Sequence, residues 1–146
     1  MSIVNKLNKF IKLSTCDKKL FFEALLFLIK YSIALKILPF KKIAARIKKE
    51  SCDNSIPTEN QKQNPKNIGR AVIRAANHVP WKALCLHQAI IAKIMLNKRN
   101  IPSTLYFGCM RDESRDFKAH AWLKSNDIFI TGKAGHQLYT VVSSIS

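Results

Sequence analysis

Cys85 has the surroundings of a nucleophile. It follows the proline-containing loop Pro80-Trp81-Lys82-Ala83-Leu84 and opens a run of residues with helical periodicity. The unpaired amides and the positive dipole end at a helix start favour thiolate over thiol, and the thiolate is the attacking species. The same amides can hold an oxyanion. A free cysteine taken alone is more often a small buried apolar residue, so catalysis requires a partner for Cys85.

His120 is the candidate base for this thiol. It stands in Lys118-Ala119-His120-Ala121-Trp122-Leu123, a segment whose pattern predicts a strand. Strand alternation places His120 and Trp122 on one face, which we expect to point toward the helix that packs on the sheet. A cysteine at a helix start followed by a histidine on a strand is the arrangement that papain-like enzymes need.

The other histidines and both tryptophans are weaker candidates. His87 lies two residues beyond the candidate nucleophile on the same helix, so it faces away from it. His78 and His136 are predicted in loops. Trp81 and Trp122 are expected to pack around the site, and either can shape a substrate pocket.

The remaining cysteines, Cys16, Cys52 and Cys109, are interpreted as structural, because none combines a helix start with a histidine-bearing strand. The four cysteines form no C-x-x-C pair and no zinc-site spacing with histidine, so we expect no metal site. Met1 to Leu13 has scattered lysines and no uninterrupted apolar core, unlike a signal peptide. We therefore expect free thiols in the reducing cytoplasm.

The most apolar stretch, Leu20 to Phe40, is predicted as a largely buried amphipathic helix. A membrane span needs about 20 residues nearly free of charge, and Glu23 and Lys30 interrupt this stretch. These two residues share one side of the helix, and we expect the opposite side to be buried. That side carries Phe21, Phe22, Leu25, Leu28, Ile29 and Ile33. Pro39 breaks the helix, and its cap candidates are Ser14, Thr15 and Asp17.

The rest of the chain predicts further helices and then strands. A short basic helix is predicted over 40–49, an exposed loop over 50–66, and helices over 67–77 and about 84–98. Beyond Pro102 the pattern predicts strands over 103–110, 118–124, 128–132 and 138–143. Helices followed by an antiparallel sheet make an α+β layout, with N-terminal helices packed on a small sheet.

Length indicates the number of domains, and charge indicates the class of partner. A chain of 146 residues suits one domain over 1–146, with a helical N-terminal part in 1–50 and a catalytic core in 67–146. Lys and Arg number 25 against 9 Asp and Glu, a net charge of +16. Such an excess favours an anionic partner or a lysine-rich solvated surface, and it does not choose among nucleic acid, acidic peptide and membrane.

Two motifs carry a family resemblance. Trp81-x-x-x-Cys85-Leu86 followed by Ala119-His120-Ala121-Trp122-Leu123 resembles the transglutaminase-like core. More narrowly, the chain is similar to the peptidase part of the lasso-peptide biosynthesis B protein, the microcin-J-processing type. The resemblance covers nearly the whole chain, including Tyr106-Phe107-Gly108 and the ending from Ile130-Thr131-Gly132 to Tyr139-Thr140-Val141-Val142.

The resemblance implies a cytoplasmic cysteine peptidase that removes the leader of a lasso-peptide precursor. A separate cyclase then joins the new amino terminus to an acidic side chain. The chain is too short to include the leader-recognition domain, so a separate recognition protein is implied. Relatives are reported as ATP-dependent, but the sequence has no P-loop pattern and no recognisable cofactor motif. Nucleic acid is not an expected partner, and membrane contact is left open.

The third catalytic residue departs from the family pattern. Transglutaminase-like enzymes usually supply an Asp on the strand after the histidine, whereas Lys133 and Thr131 are the residues predicted opposite His120 and Trp122. Asp127 is the nearest acid on that side, but seven extended residues put it roughly 23 Å from His120. Thr131, a backbone carbonyl or an acid from elsewhere must orient the imidazole, or the enzyme works as a dyad.

Two readings from other classes remain open. A transglutaminase-like fold that has lost catalysis and only scaffolds the cyclase is compatible with the missing carboxylate. A nucleic-acid-binding protein is compatible with the charge of +16, although no recognition motif supports it.

Overall fold

The computed structural model describes residues 10–51 and 64–146, together with residues 5 and 8. In these residues, helices precede an antiparallel sheet, which confirms the predicted α+β layout. The described helices are α1 (Thr15–Ile37), α2 (Phe40–Ser51), α3 (Pro65–Ala76) and α4 (Cys85–Asn97). The strands are β1 (Thr104–Arg111), β2 (Phe117–Ser125), β3 (Ile128–Thr131) and β4 (Thr140–Ile145), and a 3-10 turn, His136–Leu138, precedes β4.

Local capping sets the helix boundaries. The Ser14 hydroxyl accepts a hydrogen bond from the Asp17 amide at 3.1 Å, which starts α1 at one of the predicted caps. The Asn64 side chain caps α3 in the same way, and Pro65 takes the first helical position, where a missing amide costs nothing. The predicted loop over 50–66 is therefore shorter at both ends, and the rest of it, with Cys52, lies outside the described residues.

Helix α4 is the centre of the core. From Ala89 to Asn97 every one of its residues is buried, because α1 and α3 pack on one side of it and β2 and β3 on the other. An ion pair adds to the contact with α1. Glu23 lies 2.6 Å from Arg99, just after α4, and 3.3 Å from Lys98.

The prediction of which side of α1 is buried is only partly right. Phe21 and Leu28 are buried, whereas Phe22, Ile29 and Ile33 are exposed. The helix is apolar nearly all round, and α3 and α4 cover one side of it, so periodicity alone misplaced the buried face. Among the described residues, no helix combines the length and the apolar character that crossing a membrane requires.

The sheet has the strand order β3-β2-β1-β4, and its two faces have different coverings. Residues paired directly across antiparallel strands point to the same face. The pair Leu105 and Leu123 belongs to the hydrophobic core formed with the helices. The neighbouring pair Tyr106 and Trp122, one residue along each strand, therefore points to the opposite face.

The segment from Gly132 to Tyr139, here called the crossover, covers that opposite face. Strands β3 and β4 lie at opposite edges of the sheet, so the chain between them must cross it. The crossover buries Trp122, which is only 4% exposed. Gly108 makes room for it, since a Cβ there would lie 2.8 Å from both the Trp122 ring and the Tyr139 Cβ.

Lys93 is a buried charge in the middle of α4. Its Nζ donates a hydrogen bond of 2.6 Å to the Ser103 carbonyl, and no carboxylate pairs with it in the described part of the chain. Burial lowers the pKa of Lys93 from 10.5 to about 8, because the charged form is poorly solvated there. The unfolded chain keeps this proton up to the higher pH, so unfolding takes up a proton between the two values.

We therefore expect the free energy of unfolding to rise with pH from about 8 toward 10.5, by an amount on the order of 1–3 kcal/mol. Lys93→Met should remove this rise, because the titrating group is gone. Urea denaturation across the pH range measures both proteins, and Lys133→Met, at an exposed lysine, is the control. A rise that persists in Lys93→Met would contradict the assignment.

Candidate active site

Cys85 is the first residue of α4 and is half-buried. The residue before it, Leu84, occupies the cap position with extended backbone and makes no side-chain hydrogen bond. The first turn also contains no acidic residue. Ser, Thr, Asp or Asn would normally accept from these amides, but leucine has no acceptor. The helix start is therefore left for an anion, such as a thiolate or an oxyanion, to occupy.

His120 is held by a backbone carbonyl. Its Nε2 lies 2.8 Å from the Gly132 oxygen, and the ring is half-buried in β2. A carbonyl can only accept, so Nε2 carries the proton and donates it to this bond. In the neutral ring Nδ1 then holds the lone pair, which is the form that can take a proton from a thiol.

Gly132 is needed for this contact. Its φ of +72° lies in the left-handed region, where the chain leaves β3 and begins the crossover. A Cβ there would overlap the Ala121 oxygen and lie 2.8 Å from Trp122 Cα and Cβ. Only glycine fits this turn without displacing β2, and the turn aims the carbonyl at the imidazole.

A cluster of rings surrounds His120 on the crossover face. Its ring centroid lies 5.1 Å from that of Tyr139 and 5.9 Å from that of Trp122. Trp122 also stacks on Tyr106 at 5.8 Å and contacts His136 at 5.8 Å. His136, predicted in a loop, lies in the 3-10 turn, where it also packs on Phe129 at 4.5 Å.

The expectation that His120 points toward the packed helix is wrong. Ala121 and Leu123 face the helices, and His120 lies with Trp122 on the crossover face. Close packing of α4 requires small and aliphatic residues on the strand beneath it, which leaves the aromatic side for the crossover. The strand of His120 still packs against the helix of Cys85. In the part of the chain that the structure describes, no hydrogen bond joins the two side chains.

Neither side chain suggested from the sequence orients His120. Thr131 pairs with Leu123, because a register shift at Leu123/Lys124 moves it from its predicted place opposite Trp122. It is buried, and its hydroxyl has no partner among the described residues. Asp127 is exposed in the turn after β2. The backbone carbonyl, one of the alternatives left open, takes this place.

The two tryptophans lie apart. Trp81 donates a hydrogen bond of 3.0 Å to the Ser32 hydroxyl and so anchors the loop before α4 to α1. Trp122 is buried under the crossover, where it contacts His136. Of the two, Trp81 thus packs on the helical layer and Trp122 on the far face of the sheet.

The remaining cysteines and histidines are spread over the fold. Cys16 is exposed near the start of α1. Cys109 is half-buried in β1 and is a free thiol, as is Cys85. His87 is half-buried, and burial lowers its pKa, while its Nδ1 has no partner in the described residues. His78 Nδ1 lies 2.7 Å from the Arg74 carbonyl at the end of α3.

Sequence reasoning missed Gly132 as the partner of His120. A backbone carbonyl leaves no side-chain signature, so the only signal was a glycine at the end of a predicted strand, where such residues mark a turn with positive φ. The ring cluster was missed for a different reason. It depends on the crossover, the crossover depends on the strand order, and local sequence patterns do not predict strand order.

A family model described as "Transglutaminase-like superfamily" matches residues 26–144, which is most of the chain and includes both Cys85 and His120. No curated protein and no solved structure matches the chain. The match agrees with the α+β fold class.

We expect Gly132→Ala to lower the free energy of unfolding by about 2–4 kcal/mol, from left-handed strain together with overlap against Trp122. Gly135→Ala is a matched control, because Gly135 has a φ of +75° but no atom within 4 Å of an added Cβ. It should cost only about 1–2 kcal/mol. Urea denaturation compares the two, and equal losses would contradict the tight fit at Gly132.

Proposed function

Because the chain belongs to the transglutaminase-like superfamily, we propose that it is a cysteine peptidase with Cys85 as nucleophile and His120 as base. The observation that carries the proposal is the bond from His120 Nε2 to the Gly132 carbonyl, which leaves Nδ1 as the basic nitrogen. The uncapped start of α4 at Cys85 adds the anion-binding half of the site.

The reaction follows from these two groups. The proposed reaction requires His120 Nδ1 to come within hydrogen-bond reach of Cys85, a contact that catalytic pairs often make only in the substrate complex. Nδ1 then takes the thiol proton, and the Cys85 sulfur attacks the scissile carbonyl to form a tetrahedral intermediate. Amides of the first turn of α4 stabilise its oxyanion. The C–N bond then breaks as the imidazolium protonates the departing amine, and water hydrolyses the thioester to release the acid product.

The Gly132 carbonyl takes the position of an acidic third residue in this scheme. A carbonyl orients the imidazole and fixes its tautomer, as a carboxylate does, but it adds no full negative charge to stabilise the imidazolium. The active pair therefore functions as a dyad with a backbone support. We expect it to be less reactive than a triad that contains an aspartate.

The proposed substrate is the precursor of a ribosomally made lasso peptide, cut at the junction of leader and core in the cytoplasm. A separate leader-recognition protein delivers the precursor, and a cyclase takes the released core. The net charge of +16 favours an acidic leader or an acidic face on the recognition protein. An ATP requirement is proposed from the family resemblance alone, and no residue of this chain is assigned to it.

A non-catalytic scaffold is the second candidate. It is favoured by the position of His120 on the crossover face, with no hydrogen bond to Cys85 among the described residues. In that case the pair does not act together, and the fold serves only to hold the cyclase or the recognition protein. Thiol reactivity separates the two candidates without any knowledge of the substrate.

We expect His120→Asn to slow alkylation of Cys85 by iodoacetamide at neutral pH by about tenfold or more, because the imidazole no longer favours the thiolate. Mass spectrometry of the peptide that contains Cys85 measures the rate. Cys109 is an internal reference thiol, and His136→Asn is the matched control in the same ring cluster. An unchanged rate in His120→Asn would favour the scaffold.

With a cognate precursor and its recognition protein, wild type should release the leader, and Cys85→Ala should lower the rate by at least about a thousandfold. Cys109→Ala should retain activity, because this thiol lies in β1, away from a helix start. Mass spectrometry of the precursor reads out the cleavage. Equal release by Cys85→Ala and wild type would remove Cys85 as the nucleophile.

A further inference from the structure

The solvent-facing side of α1 carries a continuous row of large apolar side chains, here called the outer stripe. Their spacing of three and four residues places them on one face of the helix, and the row extends over about 22 Å. Their exposed fractions lie between 42% and 74%. The outer stripe consists of Phe22, Leu26, Ile29, Ile33 and Ile37.

The other side of α1 is already occupied. Leu20, Ala24, Leu28 and Tyr31 are buried in the hydrophobic core, where α1 packs on α3 and α4. Rotating the helix to hide the outer stripe would therefore expose an equally apolar face. Contiguous exposed apolar surface of this kind marks a place where something else binds.

Basic residues border the outer stripe. On a helix, Lys19 and Lys30 lie along one edge and Lys36 along the other, and all three are exposed. Glu23 adds no negative charge to this surface, because its carboxylate is engaged by Arg99 and Lys98. Burial alone would raise the pKa of Glu23, but these two cations lower it overall and keep it ionised.

The basic character continues past the end of the outer stripe. Helix α2 follows directly after Pro39, and most of its exposed side chains are cationic. These are Lys41, Lys42, Arg46, Lys48 and Lys49. Cations thus border the apolar row and continue in the helix that follows it.

We propose that the outer stripe docks on an anionic lipid bilayer, with α1 lying in the plane of the interface. Apolar side chains on the exposed face enter the boundary between head groups and acyl chains. The bordering lysines extend their apolar stems along the surface and bring their ammonium groups to lipid phosphates. The proposal is independent of the peptidase chemistry, since none of its residues belongs to the candidate active site.

A bilayer fits this surface better than a second copy of the chain. Two copies joined through the outer stripe would bring their lysine borders together, and each molecule carries a net charge of +16. An anionic bilayer instead supplies an apolar interior and negative charge side by side, in the same arrangement as the stripe and its borders. Docking there would hold the protein at a membrane without a spanning segment.

The test is co-sedimentation with vesicles of phosphatidylcholine alone or mixed with phosphatidylglycerol, at low and at high ionic strength. Wild type should bind the mixed vesicles and not the neutral ones. Ile29→Ser combined with Ile33→Ser should weaken binding by at least about tenfold, because two buried anchors are lost. Lys30→Gln combined with Lys36→Gln should weaken it by about fivefold for each lysine removed.

The matched control is Leu138→Ser combined with Val142→Ser, which removes two similarly exposed apolar side chains far along the chain. It should bind as wild type does, and circular dichroism checks the fold of every variant. Three results would overturn the proposal: no binding to the mixed vesicles, binding that is unchanged in Ile29→Ser/Ile33→Ser, or an outer stripe that only mediates self-association in sedimentation velocity. Leader cleavage by the same preparations without vesicles tests the peptidase separately.

Discussion

The burial of α4 is the constraint on which the rest of the structure depends. Over its last nine residues, Ala89 to Asn97, the helix has no exposed side, so helices must cover one flank and strands the other. Even a lysine is enclosed there, and its ammonium group donates to the Ser103 carbonyl. The helix can meet a ligand only at its first turn. Cys85 stands at that turn, beside amides that the Leu84 side chain does not cap.

The strand order determines what covers the other side of the sheet. Because β3 and β4 occupy opposite edges, eight residues must travel across the sheet, and they carry His136 and Tyr139 onto Trp122 and His120. The same segment begins at Gly132, whose carbonyl selects the tautomer of His120. The connection therefore buries the tryptophan and orients the histidine at once. In the proposed peptidase, the support of the base is therefore a backbone group placed by the topology rather than a side chain.

Helix α1 connects the site with the surface of the molecule. Its inner face packs on α4, and Ser32 on its buried side holds Trp81 in the loop that leads to Cys85. Its outer face is the apolar stripe with lysine borders. A contact made by that outer face would thus be made by the same helix that supports the loop before Cys85.

The sequence by itself determined the α+β layout, the helix starting at Cys85 and the strand carrying His120, because caps, prolines and hydrophobic period are local signals. Strand alternation also correctly placed His120 and Trp122 on one face of the strand and Ala121 on the other. Only the tertiary structure decided which face the helices cover, which side of the apolar α1 is buried, and that Gly132 supports His120. These depend on strand order, on a one-residue shift in the β2–β3 register and on a backbone carbonyl. Such features arise from contacts between distant segments, and no local pattern of residue types encodes them.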